Sequence, residues 1–172
     1  AEEPIVGLEP SAILSFRDEY LSLCSPELIE RSQKLSKNAL LIDEFILQEY
    51  KSGRIVSESF SDDDQMIKLH GHCHQKAIAS VSPTKQILQI PKNYKVQMIP
   101  SGCCGMAGSF GYEKEHYDIS MKVGELVLFP TVRKQPGEVL IAAPGTSCRH
   151  QIKDGTNRDA LHPVEILWKA LR

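Results

Sequence analysis

Five cysteines stand in this chain of 172 residues: Cys24, Cys73, Cys103, Cys104 and Cys148. Thiolates are soft ligands that select iron–sulfur clusters and zinc, and they are redox groups in their own right. A sparse, odd-numbered set differs from the dense, even framework of a small secreted disulfide scaffold, so these thiols read as reduced and intracellular. The sharpest feature is the adjacent pair in Gly102-Cys103-Cys104-Gly105-Met106-Ala107-Gly108-Ser109-Phe110-Gly111, where a glycine returns at every third position. Vicinal thiols can face one centre only if the backbone turns sharply, which Gly102 and Gly105 permit. N–H groups near Gly105 and Gly108 would then be free to donate to sulfur. The segment matches neither the dinucleotide fingerprint nor the P-loop, and the compact CxxC spacing of zinc ribbons and small ferredoxins is missing.

Cys73 lies in His70-Gly71-His72-Cys73-His74-Gln75-Lys76, and Cys148 in Pro144-Gly145-Thr146-Ser147-Cys148-Arg149-His150. Cys73, Cys103, Cys104 and Cys148 would thus reach a common point from three separate loops, as ligands of an iron–sulfur centre or of zinc. The bland alternative for each is a small apolar core filler, which is the reading for Cys24. His72 and His74 are candidates for zinc ligation or proton handling beside a redox centre, against the alternative that their rings hold the loop through backbone hydrogen bonds. That alternative is favoured for His116 and His162. Lys76, Arg149 and His150 add positive charge that would suit an anionic cluster or a carboxylate.

Something must carry these loops. Short apolar runs at Ile5–Leu8, Met66–Leu69, Val96–Ile99 and Val139–Ala143 suit buried parallel strands, each followed by a small-residue break and a helical pattern. Helices are expected over about Ser11–Leu23 with Ser11 as N-cap, Pro26–Leu35, Asn38–Lys51, from Ser82-Pro83-Thr84 toward Ile90, Glu113–Val132, from near Ser147, and Pro163–Leu171. Asp154-Gly155-Thr156-Asn157 reads as a polar loop, as does Ser57–Gln65 with its three aspartates. The alternation predicts an α/β domain whose mostly parallel sheet has about four strands with flanking helices. Every conspicuous motif falls just after a strand, at the carboxyl edge where open parallel sheets bind ligands, so one site is implied.

Composition narrows the function classes. The chain is 41% apolar and 24% charged, with twenty basic against twenty-two acidic residues. That is enough apolar material for a real core, and it leaves no basic footprint for nucleic acid. No apolar run reaches the roughly eighteen residues of a membrane span, and no secretory pattern opens the sequence, so a cytoplasmic location is expected. No Ser-His-Asp or paired-carboxylate arrangement argues for a hydrolase.

The stretches "GLEPSA", "HGHCHQKA", "SGCCGMAGSFGYEKEHYDISMKVGE", "GTSCRHQI" and "ALHPVEIL" resemble the C-terminal cysteine-rich CCG domain of bacterial FAD-linked oxidases. These are enzymes similar to glycolate, D-lactate and D-2-hydroxyglutarate dehydrogenases. The same domain type occurs in heterodisulfide reductase and in the iron–sulfur subunits of glycolate and anaerobic glycerol-3-phosphate dehydrogenases. The resemblance implies a fragment, with residues 1–51 ending a first repeat and residues 52–172 forming a complete second one. It implies Cys73, Cys103, Cys104 and Cys148 as metal ligands of an electron-transfer domain, and flavin and ferredoxin-like domains as partners within a parent protein or complex. FAD would be bound only by that parent, so isolated 2-hydroxy acid oxidation is not expected, and any membrane association would come through partners. The pattern is broken twice: Gln151 stands where a CxxC pair would close, and Ala12 where the first repeat would end in cysteine. Three alternatives stay open at this point: zinc, a metal-free docking module, and a Cys103–Cys104 dithiol cycling to a vicinal disulfide.

Overall fold

A computed structural model describes residues 3–172; the first two residues of the span assigned to the first repeat lie outside it. The protein is α/β and all its strand pairs are parallel, but the strands form two sheets rather than one. In the first, β1 (Ile5–Gly7) pairs with β2 (Ala39–Leu41); in the second, β3 (Gln65–Leu69) lies between β4 (Tyr94–Met98) and β5 (Leu140–Ala142). Between β1 and β2 run α1 (Pro10–Ile13), α2 (Glu19–Leu23) and α3 (Ile29–Asn38), and α4 (Ile42–Lys51) follows β2. The second sheet carries α5 (Cys73–Ile78) and α6 (Ser82–Ile87) after β3. Next come α7 (Tyr117–Leu126) and α8 (Leu128–Arg133) after β4, then α9 (Thr146–Thr156) and α10 (Pro163–Ala170) after β5.

The period-2 alternation of β5 explains why helices cover both faces of the larger sheet. Ala142 joins Ile67, Leu69 and Val96 in a core closed by α4, α6 and α10. Its neighbours Ile141 and Ala143 turn to the opposite core, under α8 and α9. No helix among the described residues is long and apolar enough to cross a membrane.

Four expectations need correction. The helix expected over Asn38–Lys51 gives up Ala39–Leu41 to β2, because parallel pairing with Ile5–Gly7 outweighs the helical tendency of Ala-Leu-Leu. The Leu41 N–H then donates to the Glu44 carboxylate at 2.9 Å, which starts α4. The helix expected over Glu113–Val132 breaks at Val127. Pro130 has no N–H and its ring would clash with the carbonyl four residues back, so a continuous helix cannot pass. Asp154–Thr156 is not a loop but the last turn of α9, which ends at Asn157 with φ +58°. Gly155 is there for packing: a Cβ would lie 2.3 Å from the buried Phe129 ring, and Gly124 on α7 meets the same ring just as closely. Lastly, Ser11 does not cap the first helix. That helix starts at Pro10, the Ser11 hydroxyl donates to Glu9 at 3.0 Å, and the run to Leu23 is interrupted by a 3-10 turn at Leu14–Arg17.

A buried polar knot ties the two sheets together. Asp43 on α4 accepts at Oδ2 from the Thr84 hydroxyl and from Gln75 Nε2 at 3.1 Å, and at Oδ1 from the Glu44 N–H at 2.9 Å. Burial nonetheless dominates and pushes its carboxyl above the usual range. An acid raised on folding favours the native state below its unfolded pKa, and that contribution is lost as pH rises through the folded value. Asp43→Asn is therefore expected to gain stability relative to the parent as pH climbs from 4 to 8. Urea unfolding across that range checks this; a difference that does not change with pH would refute the burial account.

Candidate metal centre

Strand order builds the site. Because β3 lies between β4 and β5, the loops leaving all three carboxyl ends converge, and each brings its sulfur. Cys73 is the first residue of α5 and Cys148 sits in the first turn of α9. Helix N-termini favour thiolate over thiol. Cys103 and Cys104 occupy the loop that follows β4.

The four thiols are clustered: the charge state of Cys73 responds to Cys103, that of Cys103 to Cys73 and Cys104, and that of Cys148 to Cys104 and His70. The donor atoms of His70, Cys104 and Cys148 all lie within 4.8 Å of one another. Burial grades across the set: His70, Cys148 and Cys104 are 0%, 1% and 3% exposed, Cys103 is half-buried and Cys73 opens to solvent. All five cysteines are free thiols.

The charge states alternate along this chain. The neighbouring Cys104 and Cys73 thiols, with the Gly105 and Ala107 N–H groups, hold Cys103 far below the ordinary thiol range despite burial; the Gly105 N–H lies 3.3 Å from its sulfur. Cys148 is lowered to about 5, chiefly by Cys104 and then by His70 and His72, against the effect of burial. Cys73 is pushed up by its hydrogen bond to Cys103 and by burial, and Cys104 by Cys103, Cys148 and burial. Two sulfurs thus carry the thiolate character that a soft metal needs.

The turn around the pair depends on backbone that other residues rarely adopt. Gly105 has φ +106°, and a Cβ there would lie 2.1 Å from the Ser120 carbonyl oxygen. Gly108 is also left-handed, at φ +69°, but faces open space. Gln151 does not reach the sulfurs as a ligand: it is buried, and its Nε2 donates to the Ser120 hydroxyl at 2.8 Å and carbonyl at 3.2 Å, bracing α7 beneath the loop. Ala12 is exposed on α1.

The remaining expected residues divide. Lys76 spans from α5 to the cysteine loop, its Nζ donating to the Ser101 and Gly102 carbonyls at 2.6 and 2.9 Å. Burial lowers its pKa while the surrounding thiolates raise it. His72 is buried beside the site: a Cβ on Gly145 would lie 2.3 Å from its ring and 3.3 Å from the Cys148 sulfur. His74 turns elsewhere, toward Asp18 and Glu19. Arg149 is spent on the loop before its own helix, donating to the Ala143 and Pro144 carbonyls at 3.1 and 2.7 Å. His150 pairs with the Tyr112 hydroxyl at 2.7 Å, and His162 caps α10 through the Val164 N–H. Cys24 is half-exposed, its thiol near the Leu21 carbonyl, far from any of this in the fold's first half.

Two participants stand in strand-end motifs of the sequence but were not among the candidate site residues. Glu9, just past β1, accepts the Thr146 N–H at 2.8 Å and lies 3.9 Å from His72 Nε2. Burial would raise its pKa, but the Thr146 and Ser11 donors and His72 hold it below the usual value. It links the first sheet to the start of the Cys148 helix. The other is His70, whose Nδ1 bonds the Ser101 hydroxyl at 2.7 Å. Only its place at a strand end hinted at this.

Comparison with known proteins gives the site a context. Over 170 residues the chain is 26% identical to the D-2-hydroxyglutarate dehydrogenase of Escherichia coli (strain K12), an alignment taking in 98% of this chain and 16% of that protein. The Pseudomonas putida KT2440 dehydrogenase of the same name is 30% identical over 166 residues, 95% of this chain and 15% of the relative. A subunit of the anaerobic glycerol-3-phosphate dehydrogenase of Escherichia coli (strain K12) is 24% identical over 169 residues, 98% of this chain and 40% of that subunit. This chain is similar to one part of larger oxidoreductases. No family model matches it, and no solved structure does.

Proposed function

We propose that this chain is the cysteine-rich electron-transfer domain of a larger flavin-linked 2-hydroxy acid dehydrogenase, of the kind its D-2-hydroxyglutarate relatives represent, and that Cys73, Cys103, Cys104 and Cys148 hold an iron–sulfur centre. What supports this is the clustering of cysteines carried by three strand-end loops, with the donor atoms of Cys104, Cys148 and His70 within 4.8 Å of one another. The donor chemistry fits such a group: soft ligands with thiolate character, on a buried floor with one open side. When bound, the centre would supply a one-electron relay. The chain's own residues keep Cys104 and Cys148 out of water, aim the Gly105 N–H at the Cys103 sulfur, and pin the loop through Lys76. N–H donors and nearby positive charge of this kind tune a cluster's potential.

Electrons would arrive one at a time from the reduced flavin of the parent, by way of its ferredoxin-like segment, and leave for an acceptor past the open Cys73 side. The small share of the relatives that this chain spans supports placing flavin binding and substrate oxidation in other parts of such a parent. We read residues 1–51 as the end of a first repeat and 52–172 as a second. The pairing of β1 with β2, and of β3 with β4 and β5, supports that division. The location is cytoplasmic, where thiols stay reduced, with membrane association made through partner subunits.

Purification of the chain without oxygen tests the proposal. The expected result is iron with acid-labile sulfide and a broad visible absorption band. One zinc per chain with no colour, or no metal, would replace the electron-transfer reading with a structural docking module.

A further inference from the structure

His70 closes β3 at the inner end of the sulfur set. It is fully buried, and its backbone N–H donates to the Ala142 carbonyl at 2.8 Å, so the residue cannot swing aside without breaking the sheet edge. One ring nitrogen, Nδ1, is engaged by the Ser101 hydroxyl at 2.7 Å. Ser101 is itself buried, and its carbonyl is held by Lys76. The other ring nitrogen, Nε2, is buried with no hydrogen-bond partner. A buried polar atom left unpaired destabilises the fold, and a fold that carries one calls for an occupant. The occupant's place is set by its neighbours, the Cys104 and Cys148 sulfurs.

Resting on the reading of the thiols as a metal centre, we propose that His70 is a fifth, nitrogen donor of that centre, ligating through Nε2 on its buried side beside Cys104 and Cys148. In this arrangement Nδ1 carries the ring proton and donates it to Ser101 Oγ. That outer hydrogen bond fixes the tautomer and ring orientation, as metal-bound histidines require. His72 also has a buried, unpartnered ring nitrogen, Nδ1, but it is a weaker choice: it is not among the donors that group with Cys104 and Cys148, and its Nε2 faces the Glu9 carboxylate. His74 faces Asp18 and Glu19. A nitrogen donor on the buried side with Cys104 and Cys148, and Cys73 on the open side, would make the centre asymmetric, with the imidazole where water does not reach.

The test loads the 172-residue chain with iron and sulfide without oxygen, reduces it, and reads nitrogen couplings by pulsed paramagnetic resonance. Unlabelled protein is compared with protein carrying 15N-histidine, and with His70→Gln, His72→Gln and His74→Gln. The expected result is a strong nitrogen coupling that changes with the label, survives in His72→Gln and His74→Gln, and is lost in His70→Gln. Should His70→Gln not fold, the label together with the other two variants still assigns the nitrogen. Iron bound with only sulfur ligands, with the weak coupling of a hydrogen-bonded ring, or with a strong coupling that survives in His70→Gln would overturn ligation by His70 while leaving the thiolate centre intact. A chain that takes up no iron sinks the electron-transfer reading. Zinc-loaded protein then decides His70 separately, since a zinc absorption edge without imidazole scattering removes it.

Discussion

Gly105→Ala is expected to lower the unfolding free energy of the metal-free chain by about 2–6 kcal/mol, the sum of two costs. An L-residue at φ +106° carries about 1–3 kcal/mol of backbone strain, and forcing a methyl into occupied space costs about 1–3 kcal/mol more. The obstacle cannot yield cheaply, for it is the Ser120 backbone carbonyl, itself bound by Gln151. Neighbouring glycines serve as controls. Gly108→Ala meets strain but open space, so about 1 kcal/mol is expected. Gly102→Ala, outside the left-handed region and with nothing near its Cβ, should be close to neutral. Urea unfolding of the three variants gives the ranking, and a Gly105→Ala chain as stable as the Gly102→Ala chain would mean that the turn is built differently.

The second large effect concerns metal. Cys104→Ser should abolish colour and reduce affinity for a soft metal by about 100-fold or more, since even residues that only orient ligands contribute 10–100-fold. Cys104 is chosen because it is buried and its sulfur lies within 4.8 Å of the Cys148 sulfur and a His70 ring nitrogen, at the centre of the candidate site. Cys24→Ser makes the same atomic change away from the site and should keep full iron. Iron and sulfide counts on both variants read the result; a Cys104→Ser chain that retained its iron would remove the pair from the centre.

Much of this was legible before any fold. Cysteine type and glycine spacing marked the 102–111 loop, and the short apolar runs placed β1, β3, β4 and β5 to within a residue or two, because buried parallel strands need continuous apolar side chains. The resemblance to a part of larger oxidases agrees with relatives that are D-2-hydroxyglutarate dehydrogenases and a glycerol-3-phosphate dehydrogenase subunit. Other features were hidden because local tendencies do not carry them. Ala39–Leu41 is a strand only because β1 lies beside it, and Gly155, which reads as a loop residue, sits inside α9 where its missing side chain leaves room for Phe129.

Residue types and their positions at strand ends thus determined by themselves which atoms could do chemistry, and that they belong to one edge of an α/β domain. Tertiary structure alone decided which of them meet. With β3 seated between β4 and β5, His70 is carried inward to the sulfurs while His74, four residues on and past the start of a helix, is turned outward to Asp18 and Glu19. Three alternating histidines look equivalent along a chain. They separate only when the strand order and the direction of α5 set where each ring points, and both are decided by contacts between residues far apart in sequence.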